Sequence, residues 1–204
     1  MKQNKTTVIG LTGGIATGKS TVSNILKEKG YKIIDADKIA KDIVDINCPA
    51  YNDIVQYFGK NILNKDKSIN RAYLAEKIFA DQILREKLNE ITHPRIIEKI
   101  KEEIEISNKE DIIFLDIPLL LEIKDSFKEY DVYMDEIWLV YCDENTTVER
   151  LMKRNNLNYE EAMKRIKSQI SIEEKRKLAD TIIDNTGDTD NLMRNVEKAL
   201  QKTS

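Results

Sequence analysis

Gly10-Leu11-Thr12-Gly13-Gly14-Ile15-Ala16-Thr17-Gly18-Lys19-Ser20-Thr21 follows a short apolar run near the start of this chain. Gly13, four intervening residues and then Gly18-Lys19-Ser20 have the spacing of the Walker A pattern. Each part has a separable physical reason. Glycine permits positive φ and lets a ligand come close to main-chain N–H groups. Those groups, with the free donors at the start of a following helix, form an anion cradle. Lys19 would set a positive charge against the outer phosphates of a nucleotide, and Ser20 would offer its hydroxyl to a magnesium ion bridging them.

The pattern requires a strand before it and a helix after it. Thr7-Val8-Ile9-Gly10-Leu11-Thr12 is short, β-branched and apolar, as a buried strand is. Val22, Ile25 and Leu26 then recur at helical spacing, with Gly30 as the expected C-terminal cap.

Four more strands are expected: Lys32–Asp35, Asp111–Asp116, Glu136–Cys142 and Thr181–Asp184, the last followed by the turn Asn185-Thr186-Gly187. Helical segments separate them. This alternation predicts an α/β fold with a parallel five-stranded sheet and helices on both faces. Ligands of such sheets bind beyond the carboxyl ends of the strands. The glycine loop, Asp35, Asp116 and Asp184 all fall there. Tyr51 to Asn108 has almost no strand signal and reads as a helical insertion, with helices over Arg71–Ala80 and Pro94–Ile106. Glu149 to Lys177 is rich in Lys and Arg, and Asp188 to Lys202 reads as a closing helix.

The bulk properties narrow the function. A chain of 204 residues suits one domain with insertions. A net charge of −3 argues against nucleic acid as the main partner. Cys48 and Cys142 lack metal-site spacing and read as small buried residues of a protein from a reducing, intracellular compartment. The polar opening MKQNKTT does not fit a signal peptide, and no apolar run is long enough to span a membrane.

Several side chains are candidates for chemistry. Phosphoryl transfer to a hydroxyl needs a carboxylate that accepts or orients its proton. Asp35-Ala36-Asp37 ends the second strand, and Asp37 is the first choice; the competing reading is that Asp37 caps a helix over Lys38–Ile46. Asp116, after the third strand, is placed to hold magnesium directly or through water. The single histidine, His93, sits in Thr92-His93-Pro94, where Thr92 can cap and Pro94 fits a first helical turn. From spacing alone it reads as a surface residue at a helix start. Arg150 and Arg154 share one helix face just past a strand end, where a lid would carry arginines to stabilise a moving phosphoryl group.

LTGGIATGKST, DADKIA, LNEITHPRI, DIPLLLE, RLMKR and TIIDNTG occur in this order from about Thr7 to Val196. Together they resemble the dephospho-CoA kinase family. The resemblance implies transfer of the ATP γ-phosphate to the ribose 3′-hydroxyl of dephospho-coenzyme A, in the cytoplasm, with ATP and Mg2+ as cofactors. It implies a single P-loop NTPase-type kinase domain over 1–204. This comprises a nucleotide core (about 1–50, 109–148 and 179–204), a helical substrate-binding insertion (about 51–108) and a lid (about 149–178). Carried over by position, Asp37, Lys19, Arg150 and Arg154 would be catalytic. Gly13, Gly14, Ile15, Ala16, Thr17, Gly18, Lys19, Ser20 and Thr21 would hold the nucleotide, and Ser20 and Asp116 the metal. Thr12, Asp37, Arg71, His93, Leu119 and Leu120 would face the acceptor. A monomer or small homo-oligomer is expected. One departure is Ala16, where the family pattern has glycine; a small effect on the loop is expected.

Rival readings remain. A nucleoside-monophosphate or metabolite kinase of the same architecture would lack the DAD and HP segments. A GTP-binding switch is hinted at by Asn108-Lys109-Glu110-Asp111 and Asp184-Asn185-Thr186-Gly187, but in reversed order. A nucleic-acid-binding ATPase would need a basic stripe beyond the lid.

Overall fold

The computed structural model describes residues 6–203, so the polar opening Met1–Lys5 and Ser204 lie outside the described residues. In chain order the elements are β1 (Thr7–Gly13), α1 (Lys19–Glu28), β2 (Lys32–Asp35), α2 (Ala36–Asp42), α3 (Pro49–Phe58), α4 (Arg71–Ala80), α5 (Gln82–Ile106), β3 (Ile112–Asp116), α6 (Leu120–Lys128), β4 (Glu136–Tyr141), α7 (Glu144–Asn155), α8 (Tyr159–Ile166), α9 (Ile172–Leu178), β5 (Thr181–Asp184) and α10 (Thr189–Thr203). They fall into two compact units: Met1–Ile34 with Ile106–Ser204, and Asp35–Glu105.

The first unit is built on a parallel five-stranded sheet of order β2-β3-β1-β4-β5, with helices on both faces. β1 lies in the middle and pairs in parallel with β3 (Leu11 opposite Asp116) and with β4 (Gly13 opposite Val140). The period of two along β1 sorts its side chains. Ile9 and Leu11 enter one core with Phe114, Trp138, Val140 and Ile183, covered by Val22 and Leu26 of α1 and by Leu192 and Val196 of α10. On the opposite face Gly10 admits α6: a Cβ there would fall 2.5 Å from Leu120 Cδ2 and 2.7 Å from the Met134 sulfur. α1 ends as expected, with Gly30 at φ 92° and Tyr31 N–H donating to Leu26 O, a Schellman closure.

The second unit has its own core, including Ala50, Tyr51, Ile54, Ile62, Ile69, Leu74 and Ile91. Two helix boundaries here differ from expectation. The helix after β2 starts two residues earlier than Asp37 requires for a cap: Asp35 is the cap, accepting from Lys38 N–H at 3.0 Å, and α2 stops at Asp42. Asp37 therefore sits inside the first turn. Nor does a helix begin at Pro94, because α5 runs through it for 25 residues. Proline removes an N–H and obstructs the preceding turn. Neighbouring carbonyls take side-chain donors instead: Thr92 Oγ1 donates to Leu88 O at 2.9 Å and Arg95 to Ile91 O at 2.6 Å. Thr92 is thus a mid-helix residue, not a cap. Among the cysteines, Cys142 is buried as expected, while Cys48 is only partly so.

Candidate active site

The central strand β1 delivers Gly13 to the carboxyl edge of the sheet, and the chain turns through Gly14–Gly18 into α1. The turn is held from several sides. Thr17 is buried and closes it locally, donating N–H at 3.3 Å and Oγ1 at 2.9 Å to Gly14 O. Gly18 has φ 93°, and a side chain there would collide with the amide of Asn185. That amide donates Nδ2 to Thr17 O at 2.8 Å. Ile15 N–H donates to Gln169 Oε1 at 3.1 Å. The Ile15 side chain packs against the Val148–Leu151–Ala162 cluster of α7 and α8. Ala16 takes the left-handed conformation, φ 59°, that the missing glycine would have taken freely.

Lys19 and Asp116 form an ion pair whose side chains are 16 % and 7 % exposed. The pairing follows from topology. Asp116 ends β3 beside β1, and Lys19 opens the helix that β1 leads into. Ser20 and Thr21 are exposed on the first turn of α1. Thr12 is fully buried, and its hydroxyl donates to Pro118 O at 3.0 Å, tying β1 to the turn after β3. Leu119, in that turn, is exposed. Leu120 is not: its side chain is buried and packs α6 against Gly10. Leu119 is the N-cap residue outside the helix, and Leu120 is the first residue of α6.

Arg150 and Arg154 lie four apart on α7, as expected. Arg150 is partly buried and reaches back to Cys142 Sγ at 3.5 Å; Arg154 is exposed and bonds Asn155 Oδ1 at 3.0 Å. Beside the glycine loop lies a cavity of about 340 Å³, lined by residues including Gly14, Ile15, Thr17, Thr147, Gln169 and Ile172.

The remaining candidates belong to the Asp35–Glu105 unit. Asp37 is exposed on α2, free of the capping role that Asp35 takes. Arg71 opens α4 and donates to Lys41 O at 2.9 Å, with Asp45 at 3.9 Å. His93 is half-buried, and this burial lowers its pKa below the ordinary 6.5. In the sheet-bearing unit Asp184, the third strand-end acid, is used locally and accepts from Thr186 N–H at 2.8 Å.

Two residues that grip the loop were not identified from sequence. Asn185 was visible only as part of a turn, and its partner lies 168 positions away. Gln169 is a lone glutamine in a basic stretch, with no local signal at all.

The family model described as dephospho-CoA kinase matches residues 7–191. A dephospho-CoA kinase of Carboxydothermus hydrogenoformans is 47% identical over 197 residues, covering 96% of this chain and 93% of the relative. Another, of Listeria innocua, is 45% identical and covers 95% and 96%. Among solved structures, the dephospho-CoA kinase of Campylobacter jejuni superposes with a TM-score of 0.67 at 35% identity, covering 98% of each chain.

Proposed function

This chain belongs to the dephospho-CoA kinase family, and we propose a division of labour among its residues on that premise. The enzyme transfers the γ-phosphate of ATP to the ribose 3′-hydroxyl of dephospho-coenzyme A, the last step of coenzyme A biosynthesis. The observation that carries the division is the Lys19–Asp116 pair at the mouth of the glycine loop, between the start of α1 and the end of β3.

The N–H groups from Gly13 to Thr21, apart from that of Ile15, which Gln169 takes, cradle the triphosphate, and Lys19 turns its charge to the outer phosphates. The donors available suit magnesium, since the exposed Ser20 hydroxyl and the Asp116 carboxylate are hard oxygen ligands. Ser20 and Asp116 would hold it, and there it would supply positive charge against that developing on the phosphates. Asp37 accepts or orients the proton of the acceptor hydroxyl, a role for which its exposure and freedom from capping leave it available. Arg150 and Arg154 stabilise charge on the moving phosphoryl group, with 149–178 acting as lid and helping to exclude water. Thr12, Arg71, His93, Leu119 and Leu120 serve the acceptor side, with about 51–108 as the helical substrate-binding insertion. We place the enzyme in the cytoplasm as a monomer or small homo-oligomer; its net charge of −3 gives no excess of cations for nucleic acid.

The test is phosphoryl transfer from ATP with magnesium to dephospho-coenzyme A, beside a panel of nucleoside monophosphates. Selective formation of coenzyme A is expected. Asp37→Asn should then lower turnover by roughly a hundredfold while ATP binding stays near normal. Near-normal turnover in that variant would remove Asp37 from the mechanism, and ATP binding without transfer to dephospho-coenzyme A would overturn the substrate assignment.

A further inference from the structure

We propose that Gln169 is a positioning residue for the phosphate loop: it fixes the Gly14–Ile15 peptide and thereby the phosphate cradle, from a turn between two lid helices. The proposal rests on the loop being the ATP site.

The contact is specific and built from both sides. Ile15 N–H donates to Gln169 Oε1 across 154 positions of sequence. The same residue also plants its side chain in the α7–α8 cluster, so Ile15 is held at both its backbone and its side chain. The turn that presents Gln169 is itself fixed. Lys167 N–H closes α8 on Met163 O at 2.9 Å, Ser168 Oγ donates to Arg165 O at 2.7 Å, and Gln169 N–H donates to Ile166 O at 3.2 Å. Two residues on, Ser171 and Glu174 form a capping box that starts α9. Gln169 is therefore presented from a fixed backbone, and its side-chain oxygen accepts from the Ile15 amide.

That amide matters because Ala16 comes next in the loop. Ala16 is left-handed at φ 59°, a conformation that costs a residue with a Cβ and persists only when its surroundings impose it. On the far side of Ala16, Thr17 is held by Gly14 O and by Asn185. On the near side, the polar anchor of the Ile15 amide is Gln169. Without that acceptor the Gly14–Ile15 peptide can rotate, and the later donors of the loop lose their common aim at the phosphates.

Gln169→Met keeps length and removes the acceptor, whereas Gln169→Glu keeps an acceptor for the amide. In Gln169→Met we expect the KM for ATP to rise roughly five- to tenfold, the scale of one lost hydrogen bond. The KM for dephospho-coenzyme A should stay within twofold, and exchange of the Ile15 amide proton should speed up. In Gln169→Glu amide protection should return to the wild-type level. Its KM for ATP should fall towards the wild-type value as salt is raised, because the added charge repels the triphosphate. A Gln169→Met enzyme with wild-type KM for ATP and unchanged Ile15 protection overturns the proposal. So does one that weakens both substrates equally together with its thermal midpoint, since that is general destabilisation. Calorimetric binding of a non-hydrolysable ATP analogue separates this question from the choice of acceptor. If the wild type ignores dephospho-coenzyme A while analogue binding still depends on Gln169, the substrate assignment fails and the positioning role stands.

Discussion

Ala16 shows how much one side chain can ask of a loop. Its left-handed backbone is strained by about 1 kcal/mol relative to glycine, but its methyl group packs against the α7–α8 cluster. These effects oppose each other, and glycine also adds entropy to the unfolded chain. Ala16→Gly should therefore shift stability by less than about 1 kcal/mol, read as the midpoint of urea unfolding. Ala16→Val should behave differently, because a β-branched residue fits positive φ badly. It should cost about 2 kcal/mol or more and raise the KM for ATP; a valine variant as stable as wild type would show that the loop can leave this conformation. The need for a compatible φ at Ala16 was legible from the motif alone. Gly18 was equally legible as a glycine, but not the reason it tolerates no side chain, since Asn185 comes from the far end of the chain.

Helix boundaries were the least legible elements, and the errors share a cause. Asp35 and Asp37 are both acids with helix after them, and local chemistry does not choose between them; where β2 ends makes Asp35 the cap. Thr92-His93-Pro94 has the composition of a helix start, yet helix already surrounds it in α5. Continuity with Ile91, Ile97 and Ile100, all buried, outweighs the proline cost. It also half-buries His93 and gives a pH prediction. Burial disfavours the imidazolium, so the folded pKa lies below 6.5. As pH falls, the unfolded chain takes up this proton first. His93 therefore contributes a loss of stability that begins near pH 6.5 and stops growing once pH is below the folded pKa. His93→Gln should flatten that part of the profile, seen by comparing urea midpoints at about pH 7.5 and about pH 5.5 in both proteins; parallel profiles would refute the assignment.

At the scale of the whole chain, the sheet-bearing unit contains an ion pair with no counterpart in any sequence pattern. Lys175 of α9 is fully buried and lies 2.7 Å from Glu122 of α6, whose side chain is 19 % exposed. Among the described residues neither Lys175 Nζ nor the Glu122 oxygens have a well-directed hydrogen bond. Removing one partner strands a buried charge, so Lys175→Met alone should cost about 3 kcal/mol. Pairing it with Glu122→Leu should recover most of the loss, and a double-mutant cycle in urea would show it. A single variant with wild-type stability would mean that Glu122 is solvated despite its position. Lys175 looked like one more cation of a solvated basic face, because periodicity reports spacing and not depth. What the sequence determined by itself was local and repetitive: five strands with helices between them, the phosphate loop between β1 and α1, and acids at strand ends. Backbone geometry and hydrophobic period dictate these within a few residues of chain. Only the tertiary structure decided that Lys19 meets Asp116, that Asn185 and Gln169 grip the loop, that Leu120 turns inward and that Lys175 is buried. Each of these depends on which distant segment arrives beside a residue, and close packing in the folded chain settles that through contacts that no local pattern encodes.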